Sequence, residues 1–432
     1  MMRGTTVHIS MVPKAAEPGR QIRTRSGHVS GCPRDGGGVL AFKGIPYAAP
    51  PVGPLRWRAP QPPTPWNGVH DASTFGAGCL SALENDPRPG PRDEDCLYLN
   101  VWTAAGQADE KRPVMVWIHG GGFQFGSSAN PATDGGPLAA IGVVVVSFNY
   151  RLGIFGFLAH PDLDSEAPSG NYGLQDQLAA LRWVKANIAE FGGDPDNVTV
   201  FGESAGAMSI GILMASPLGR GLFHKAIGES GAFWDGKHGP LQGFEEARTR
   251  GLAFARRQGD ASIAALRAMP AERLNAGAPW SFQSDHVVAA FSPSIDHHVI
   301  PEVPALRFLR GQQMHIPLLA GWNAAEEFPF GSQSLPAHSA QAFRAAAEAM
   351  FGSERLVDFL AAYPADTDAQ AKISAAALTG DYVVGEQCWQ WLRLHGGSSH
   401  APVYGYLFSY TSPYTPIASH VTEIPFVFGT CG

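Results

Sequence analysis

A serine lies at the centre of a glycine-flanked pentapeptide, Gly202-Glu203-Ser204-Ala205-Gly206, between a strand-like and a helix-like segment. In such a unit a tight turn lifts the serine hydroxyl out of a sheet, and the glycines let the strand and the helix pack closely. The N–H groups and the dipole of the following helix favour a negative charge that develops beside Ser204. The pattern therefore predicts a nucleophile for acyl transfer, although a bare Gly-x-Ser-x-Gly also occurs as a glycine turn with a helix-capping serine.

A second glycine-rich segment, Gly120-Gly121-Gly122, directly follows an apolar run and His119. Glycines lack a Cβ atom, so their N–H groups can turn towards a reacting carbonyl group. We therefore predict that the N–H groups of Gly121, Gly122 and Ala205 form an oxyanion hole. Two independent motifs then agree on the same chemistry, whereas a glycine triplet alone is equally typical of an ordinary turn.

Hydrophobic periodicity predicts the elements that position these motifs. Fully apolar runs at 114–118 and 143–146 predict strands buried on both faces, as in a parallel or mixed sheet. An apolar stripe with helical spacing begins at Leu174 and ends at Ile188, and Gly192-Gly193 should terminate that helix. The pattern indicates an α/β protein.

Weaker signals complete the secondary structure. Further strands are predicted at 197–201, 316–320 and 403–410, a helix is predicted at 207–215, and Ala-rich surface helices that cover the sheet are predicted at about 243–274 and 339–363.

Composition excludes several classes of protein. Of the 432 residues, 44% are hydrophobic and 16% are charged, which favours a folded core over disorder. The formal net charge is -7 and no cationic stripe occurs, so nucleic acid is not expected as a partner. No apolar run approaches the roughly 18 to 20 residues of a membrane span. The first residues contain no signal-peptide core, so a cytoplasmic location is expected and secretion stays open.

Further segments of the chain carry a family resemblance. They are Phe42-Lys43-Gly44-Ile45-Pro46-Tyr47-Ala48, Glu94-Asp95-Cys96-Leu97-Tyr98-Leu99-Asn100-Val101, Asn149-Tyr150-Arg151, Gly170-Asn171-Tyr172-Gly173-Leu174-Gln175-Asp176-Gln177 and Phe191-Gly192-Gly193-Asp194-Pro195. With both glycine motifs, these segments make the chain resemble a type-B carboxylesterase, the cholinesterase-like branch of the α/β-hydrolases. The resemblance implies an α/β-hydrolase fold, with a large mixed, mostly parallel central sheet flanked by helices.

The resemblance also implies a catalytic triad in the chain order Ser, acid, His. The glutamate of the family falls on Glu326, and its neighbour Glu327 is the rival position. The segment 419–429 is similar to the catalytic-histidine loop, which makes His420 the general base and Ser204 the nucleophile of an acyl-enzyme mechanism. Only a neutral imidazole accepts the serine proton, so activity should rise through a His420 pKa near its unperturbed value of about 6.5.

Other interpretations of these residues stay open at this point. His420 and Glu423 have the spacing of a metal pair, but Pro425 opposes a helix there and no third ligand lies nearby. We therefore expect neither metal nor cofactor. A catalytically silent cholinesterase-like binding protein should lack a member of the triad, and all three are present. An amidase on the same triad is the remaining alternative to a small-molecule ester hydrolase, and the oligomeric state is open.

The resemblance sets the expected domain limits. It implies a partly flexible N-terminal extension over residues 1–26 and one carboxylesterase domain over 27–432. Relatives usually continue with a strand and helices beyond the position of Gly432, so the C-terminal part is expected to be missing. Exposure is then expected for the sheet edge at 403–410 and for Phe426, Val427 and Phe428.

The five cysteines contain no CxxC pair, which argues against a zinc ribbon and a dense disulfide framework. Cys79 and Cys96 coincide with a disulfide loop of extracellular family members. The expected cytoplasmic compartment instead favours reduced thiols. We therefore expect reduced thiols, although the resemblance leaves a disulfide bond open.

Overall fold

A central sheet of nine strands forms the frame of the described chain. The computed structural model describes residues 20–34, 37–83, 90–166, 170–232, 241–278, 291–326, 335, 339–413 and 416–431. The strands are β1 (Cys32–Pro33), β2 (Leu40–Pro46), β3 (Tyr98–Thr103), β4 (Arg112–Ile118), β5 (Val144–Phe148), β6 (Gly193–Glu203), β7 (Lys225–Glu229), β8 (Leu318–Asn323) and β9 (Val403–Phe408).

The strand order across the sheet is β9-β8-β7-β6-β4-β5-β3-β2-β1. All pairs from β9 to β5 are parallel, and the pairs from β5 to β1 are antiparallel. The sheet is therefore mixed and mostly parallel, which confirms the predicted fold class. The carboxyl ends of the parallel strands lie on one edge, where such sheets place their ligand sites.

The helices, in chain order, are α1 (Gly136–Ala140), α2 (Gly153–Phe157), α3 (Tyr172–Asn187), α4 (Ala205–Ala215), α5 (Phe244–Arg257), α6 (Ile263–Ala268), α7 (Ala271–Ala276), α8 (Pro304–Leu309), α9 (Ala340–Phe351), α10 (Ser353–Ala362), α11 (Asp368–Gly380), α12 (Glu386–Ser398) and α13 (Ile424–Phe428). No helix among the described residues is both long and apolar enough to cross a membrane.

Both faces of the sheet are buried, because apolar side chains occupy successive positions of the central strands. In β4, Val116 and Ile118 face the main core, which also contains apolar side chains of α3 and α4. The residue between them, Trp117, faces the opposite side and packs with Phe201 and Phe428. Because successive strand residues point to opposite faces, the fully apolar run supplies two cores.

Helix α3 ends as its sequence predicts. It passes into a short 3-10 turn, Ile188–Phe191, and Gly192 then adopts a left-handed conformation with φ 81°. Glycine takes that conformation without the steric cost of a Cβ atom. The chain continues from Gly193 directly into β6, the strand that leads to Ser204.

The Ala-rich segment at 339–363 does not cover the sheet. Helices α9 and α10 pack mainly against each other and α11, around a small separate core that contains Phe343 and Ala371. The helix that packs on β8 and β9 is α12, and its buried apolar side chains include Trp391. An amphipathic stripe indicates that a helix buries one face, but it does not identify the element against which that face packs.

The predicted N-terminal extension contains a folded element. Strand Gln21–Thr24 pairs in antiparallel register with Gly27–Ser30, and Val69–Asp71 joins the second strand in parallel. Ile22 and Val29 are buried in the main core. The hairpin therefore spans the expected boundary at residue 26, while residues 1–19 lie outside the described part.

Only some of the residues near the chain end that were expected to be exposed are exposed. Phe428 is buried, with its ring centroid 5.0 Å from that of Trp117 and 5.3 Å from that of Phe201. The expectation for Phe428 is therefore wrong, because α13 folds over the face of the sheet. Val427 is half-buried, whereas Phe426 is 40% exposed. On the edge strand β9, Tyr404 and Leu407 are exposed as expected.

Cys79 and Cys96 form a disulfide bond, against the expectation of reduced thiols. Their Cα atoms are 5.0 Å apart, and closing a loop of 17 residues contributes about 3 kcal/mol in the chain-entropy description. The loop also touches the glycine segment, because the Ala82 N–H donates to the carbonyl of Gln124 at 2.9 Å. The expected redox state of the compartment says nothing about the distance between the two cysteines. The fold determines that distance.

Candidate active site

Ser204 lies on the expected sharp turn between β6 and α4. Its backbone has φ 53° and ψ -120°, an unfavourable conformation for a residue with a side chain. A Cβ atom on Gly202 would lie 2.6 Å from the carbonyl oxygen of Ile118, and one on Gly206 would collide with the same oxygen. The turn is therefore held by close packing on β4, and both flanking positions require glycine.

Hydrogen bonds anchor both sides of this turn. The Ser204 N–H donates to the carbonyl of Glu229 at 2.8 Å, and the Ser204 carbonyl accepts from the Met208 N–H at 2.9 Å. The first bond connects the turn to the end of β7, and the second opens helix α4. A strained backbone persists only where its surroundings hold it, and these contacts supply that support.

The glycine segment after β4 adopts a backbone conformation that favours glycine. Gly121 and Gly122 have φ values of 107° and 59°, which residues with side chains rarely adopt. The carbonyl of Gly121 accepts from the N–H groups of Gln124 and Phe125 at 2.9 and 3.1 Å, which closes a tight turn. Within the described ranges, no residue accepts a hydrogen bond from the N–H groups of Gly121, Gly122 or Ala205.

The structure brings together His420 and Glu326, which are 94 positions apart in the sequence. Nδ1 of His420 lies 2.6 Å from Oε2 of Glu326, and both side chains are buried. The other carboxylate oxygen, Oε1, accepts a hydrogen bond from the Asn323 N–H at 2.7 Å. Of the two glutamates that the sequence left as rivals, Glu326 makes this contact. Glu327 lies outside the described residues.

The second ring nitrogen of His420 has a partner that sequence reasoning missed. Nε2 lies 2.9 Å from Oε1 of Glu203, the residue immediately before Ser204. Glu203 is 3% exposed, so this contact is shielded from water. The available signal was the position of Glu203 itself, since it lies next to Ser204 at the same edge of the sheet.

These contacts change the acidity of the imidazole. Burial alone lowers the pKa of His420, but the carboxylate of Glu203, and then that of Glu326, stabilise the imidazolium. The net result is a pKa well above the ordinary histidine value. The expectation of a pKa near 6.5 is therefore wrong, because the sequence did not show that two carboxylates flank the ring.

Two further buried glutamates surround this pair. Burial raises the pKa of Glu229 well above the usual carboxyl value, and the charges of Glu423 and Glu203 add to the effect. Burial, and then the charge of Glu203, raise the pKa of Glu423 to about 7. Both groups therefore keep a proton more readily than a surface glutamate. In the described part of the chain, no cluster of three or more His, Cys, Asp or Glu side chains is arranged to hold a metal ion.

A cavity of about 340 Å³ borders this cluster. Its walls include Gly120, Gly121, Glu203 and Val421, so it lies against both the glycine segment and the residue that follows His420. This volume falls in the range of small-molecule sites in proteins.

Comparison with known proteins supports the same chemistry. A family model described as the carboxylesterase family matches residues 18–431. The chain is 40% identical to fumonisin B1 esterase of Sphingopyxis macrogoltabida, over 100% of this chain and 78% of the relative. It is also 40% identical to para-nitrobenzyl esterase of Bacillus subtilis (strain 168), over 94% of this chain and 82% of the relative.

Solved structures agree with these relatives. A PNB esterase structure superposes with a TM-score of 0.77 and 38% sequence identity, covering 95% of this chain and 85% of the other. An α/β-hydrolase frame, a family match over nearly the whole chain and relatives named as esterases lead to one conclusion: the chain belongs to the carboxylesterase family and is a carboxylic ester hydrolase.

Proposed function

We propose that the chain hydrolyses small-molecule carboxylic esters through an acyl-enzyme on Ser204, with His420 as general base and Glu326 as its carboxylate partner. The observation that carries this proposal is the 2.6 Å contact between Nδ1 of His420 and Oε2 of Glu326. That contact presents the opposite ring nitrogen to the end of β6, where Glu203 and Ser204 are adjacent. A serine nucleophile needs a histidine base whose second ring nitrogen is within reach of its hydroxyl, and this orientation supports that role.

The mechanism assigns one task to each group. Nε2 of His420 accepts the proton of the Ser204 hydroxyl as its Oγ attacks the ester carbonyl, and Glu326 stabilises the imidazolium that forms. The imidazolium then donates this proton to the leaving alcohol, and a water molecule repeats the sequence to release the acid. Because Nε2 contacts Glu203 in the structure, Ser204 competes with that carboxylate for the ring before the attack.

The negative charge on the substrate oxygen needs donors that are already in place. The N–H groups of Gly121, Gly122 and Ala205 have no acceptor among the residues described, and the positive φ values of the two glycines orient their peptides. We assign the oxyanion hole to these three groups. The loss of a single such donor typically raises the barrier by about 3 kcal/mol.

A series of p-nitrophenyl esters with increasing acyl length tests the reaction class. We expect a rapid release of nitrophenolate equal to the number of enzyme sites, followed by slower turnover, because an acyl-enzyme accumulates when its hydrolysis is slow. Stopped-flow absorbance measures both phases. The p-nitroanilide with the same acyl group is the comparison, and preferential cleavage of the anilide would make the chain an amidase. A silent binding protein would release no nitrophenolate.

The raised pKa of His420 predicts an alkaline shift of the pH profile. The base must be neutral to accept a proton, so kcat/KM should rise with pH through a midpoint well above 6.5 rather than near it. Glu203→Gln removes one of the two charges that stabilise the imidazolium and should lower this midpoint by about one unit or more.

Glu190→Gln is the matched control for this profile. Glu190 is exposed on the 3-10 turn after α3, so its replacement changes the net charge equally without touching the ring. Its midpoint should equal that of the parent enzyme. A parent midpoint at or below 6.5, or an equal shift in both variants, would contradict the assigned contacts of His420.

A further inference from the structure

Asn323 occupies the last position of β8, three residues before Glu326, and is 1% exposed. Its backbone N–H donates to Oε1 of Glu326 at 2.7 Å. Its side-chain amide nitrogen donates to the carbonyl of Ser419 at 2.8 Å and also to Oε2 of Glu423. One residue therefore binds the acid and both ends of the turn that carries His420.

Backbone contacts also join that turn to the acid loop. The Ala325 N–H donates to the carbonyl of Ala418 at 2.9 Å, and Ala325 forms an isolated parallel bridge with Ser419. Within the turn, the Thr422 N–H donates to the Ser419 carbonyl at 3.1 Å, and Val421 has a strained φ of 68° and is half exposed. The Asn323 amide adds a side-chain link to the residues on either side of His420.

The geometry of the pair depends on both loops. Glu326 presents one oxygen to the Asn323 N–H and the other to His420, so its carboxylate has a defined orientation. The orientation of the His420 ring is fixed only if the turn that carries it keeps a fixed position relative to the end of β8. A displacement of about 1 Å in a reacting group typically reduces the rate by about 10²-fold.

We propose that Asn323 is a positioning residue for ester hydrolysis, whose amide holds the turn of His420 in register with Glu326. This inference rests on the proposed function of the pair. Asn323 touches neither substrate nor nucleophile, and it acts through the two loops that it joins. A purely structural amide would affect folding alone, whereas a positioning amide affects kcat in molecules that are folded.

Replacement of the amide also changes the charge beside the ring. The bond from Asn323 lowers the pKa of Glu423 against the effect of burial, so its removal leaves Glu423 protonated to higher pH. A looser contact with Glu326 then stabilises the imidazolium less. The charges that raise the pKa of His420 belong to Glu203 and Glu326, so a weaker contact with Glu326 lowers the midpoint of the pH profile.

The experiment compares Asn323→Ala with the parent enzyme on a p-nitrophenyl ester, with competent sites counted from the initial nitrophenolate release. We expect kcat per site to fall by about 10²-fold while KM changes by less than about threefold, since the substrate pocket is untouched. The pH midpoint should move to lower values. Asn323→Leu keeps about the same side-chain shape but loses the donors and adds no charge, so it should show the same kcat loss without a cavity.

Asn187→Ala is the matched control. Asn187 is also a buried asparagine that joins two segments, accepting from the Arg25 N–H and donating to the Trp183 carbonyl, each at 2.8 Å, at the end of α3. It should lose stability but keep kcat per site and the parental midpoint. If both Asn323 variants retain kcat within about threefold per counted site, with an unchanged midpoint, the inference is overturned.

Ser204→Ala separates this failure from that of the mechanism. If Ser204→Ala abolishes nitrophenolate release and the Asn323 variants behave like the parent, the positioning role alone is rejected. If Ser204→Ala still releases nitrophenolate at the parental rate, the proposed function and the positioning role fall together.

Discussion

Ser204→Ala should lose about six orders of magnitude in kcat for ester hydrolysis. The turn between β6 and α4 contains no other hydroxyl or thiol group, so in the proposed mechanism Ser204 alone forms the acyl-enzyme. The initial release of nitrophenolate should disappear together with steady-state turnover. Binding of a non-hydrolysable substrate analogue should persist, because the replacement removes only the nucleophilic oxygen.

Ser216→Ala is the control for this variant. Ser216 lies at the opposite end of α4, is buried, and caps the short turn Pro217–Gly219 by accepting from the Leu218 N–H. Its loss should cost about 1 kcal/mol of stability and leave kcat unchanged. Residual Ser204→Ala turnover within tenfold of the parent would reject Ser204 as the nucleophile.

Glu326→Gln should reduce kcat by about four orders of magnitude. A glutamine has almost the same shape but carries no charge, so it leaves the imidazolium that forms during attack without one of its two carboxylate partners. It also offers an N–H group to Nδ1 and thereby favours the wrong tautomer of His420. The kcat measured at the pH optimum of each variant gives the loss without a contribution from shifted ionisation.

The adjacent Glu327→Gln supplies the comparison on the same loop. With Glu326 at 2.6 Å from the ring, Glu327→Gln should retain kcat within about tenfold. If Glu327→Gln is the more damaging of the two, the position of the acid is wrong by one residue. Equal and small losses in both variants would remove the carboxylate from the mechanism altogether.

Local patterns were sufficient where chemistry and geometry depend on neighbouring residues. The turn at Ser204, the positive φ values of Gly121 and Gly122 and the left-handed Gly192 after the 3-10 turn that follows α3 agree with glycine spacing and hydrophobic periodicity. Each of these features is determined by sterics within a few residues. The choice of Glu326 over Glu327, by contrast, came from the family resemblance and agrees with the observed contact to His420.

Patterns were not sufficient where partners come from distant segments. Helices α9 and α10 have the amphipathic stripe of sheet-covering helices, yet they pack with α11 around their own core. Phe428 was expected to be exposed and instead packs against Trp117 and Phe201. An apolar stripe or an aromatic side chain indicates that a residue will be buried. The arrangement of the rest of the chain determines which partner buries it.

The sequence by itself predicted the family and the mixed sheet with its crossover helix, and it suggested the proposed nucleophile, base and acid. Only the tertiary structure decided that Glu203 faces Nε2 of His420, that Asn323 links the acid loop to the histidine turn, and that Cys79 bonds to Cys96. The reason is physical: residue types and local spacing set which chemistry is possible. Proton affinities depend on the distances and burial of charges that are far apart along the chain.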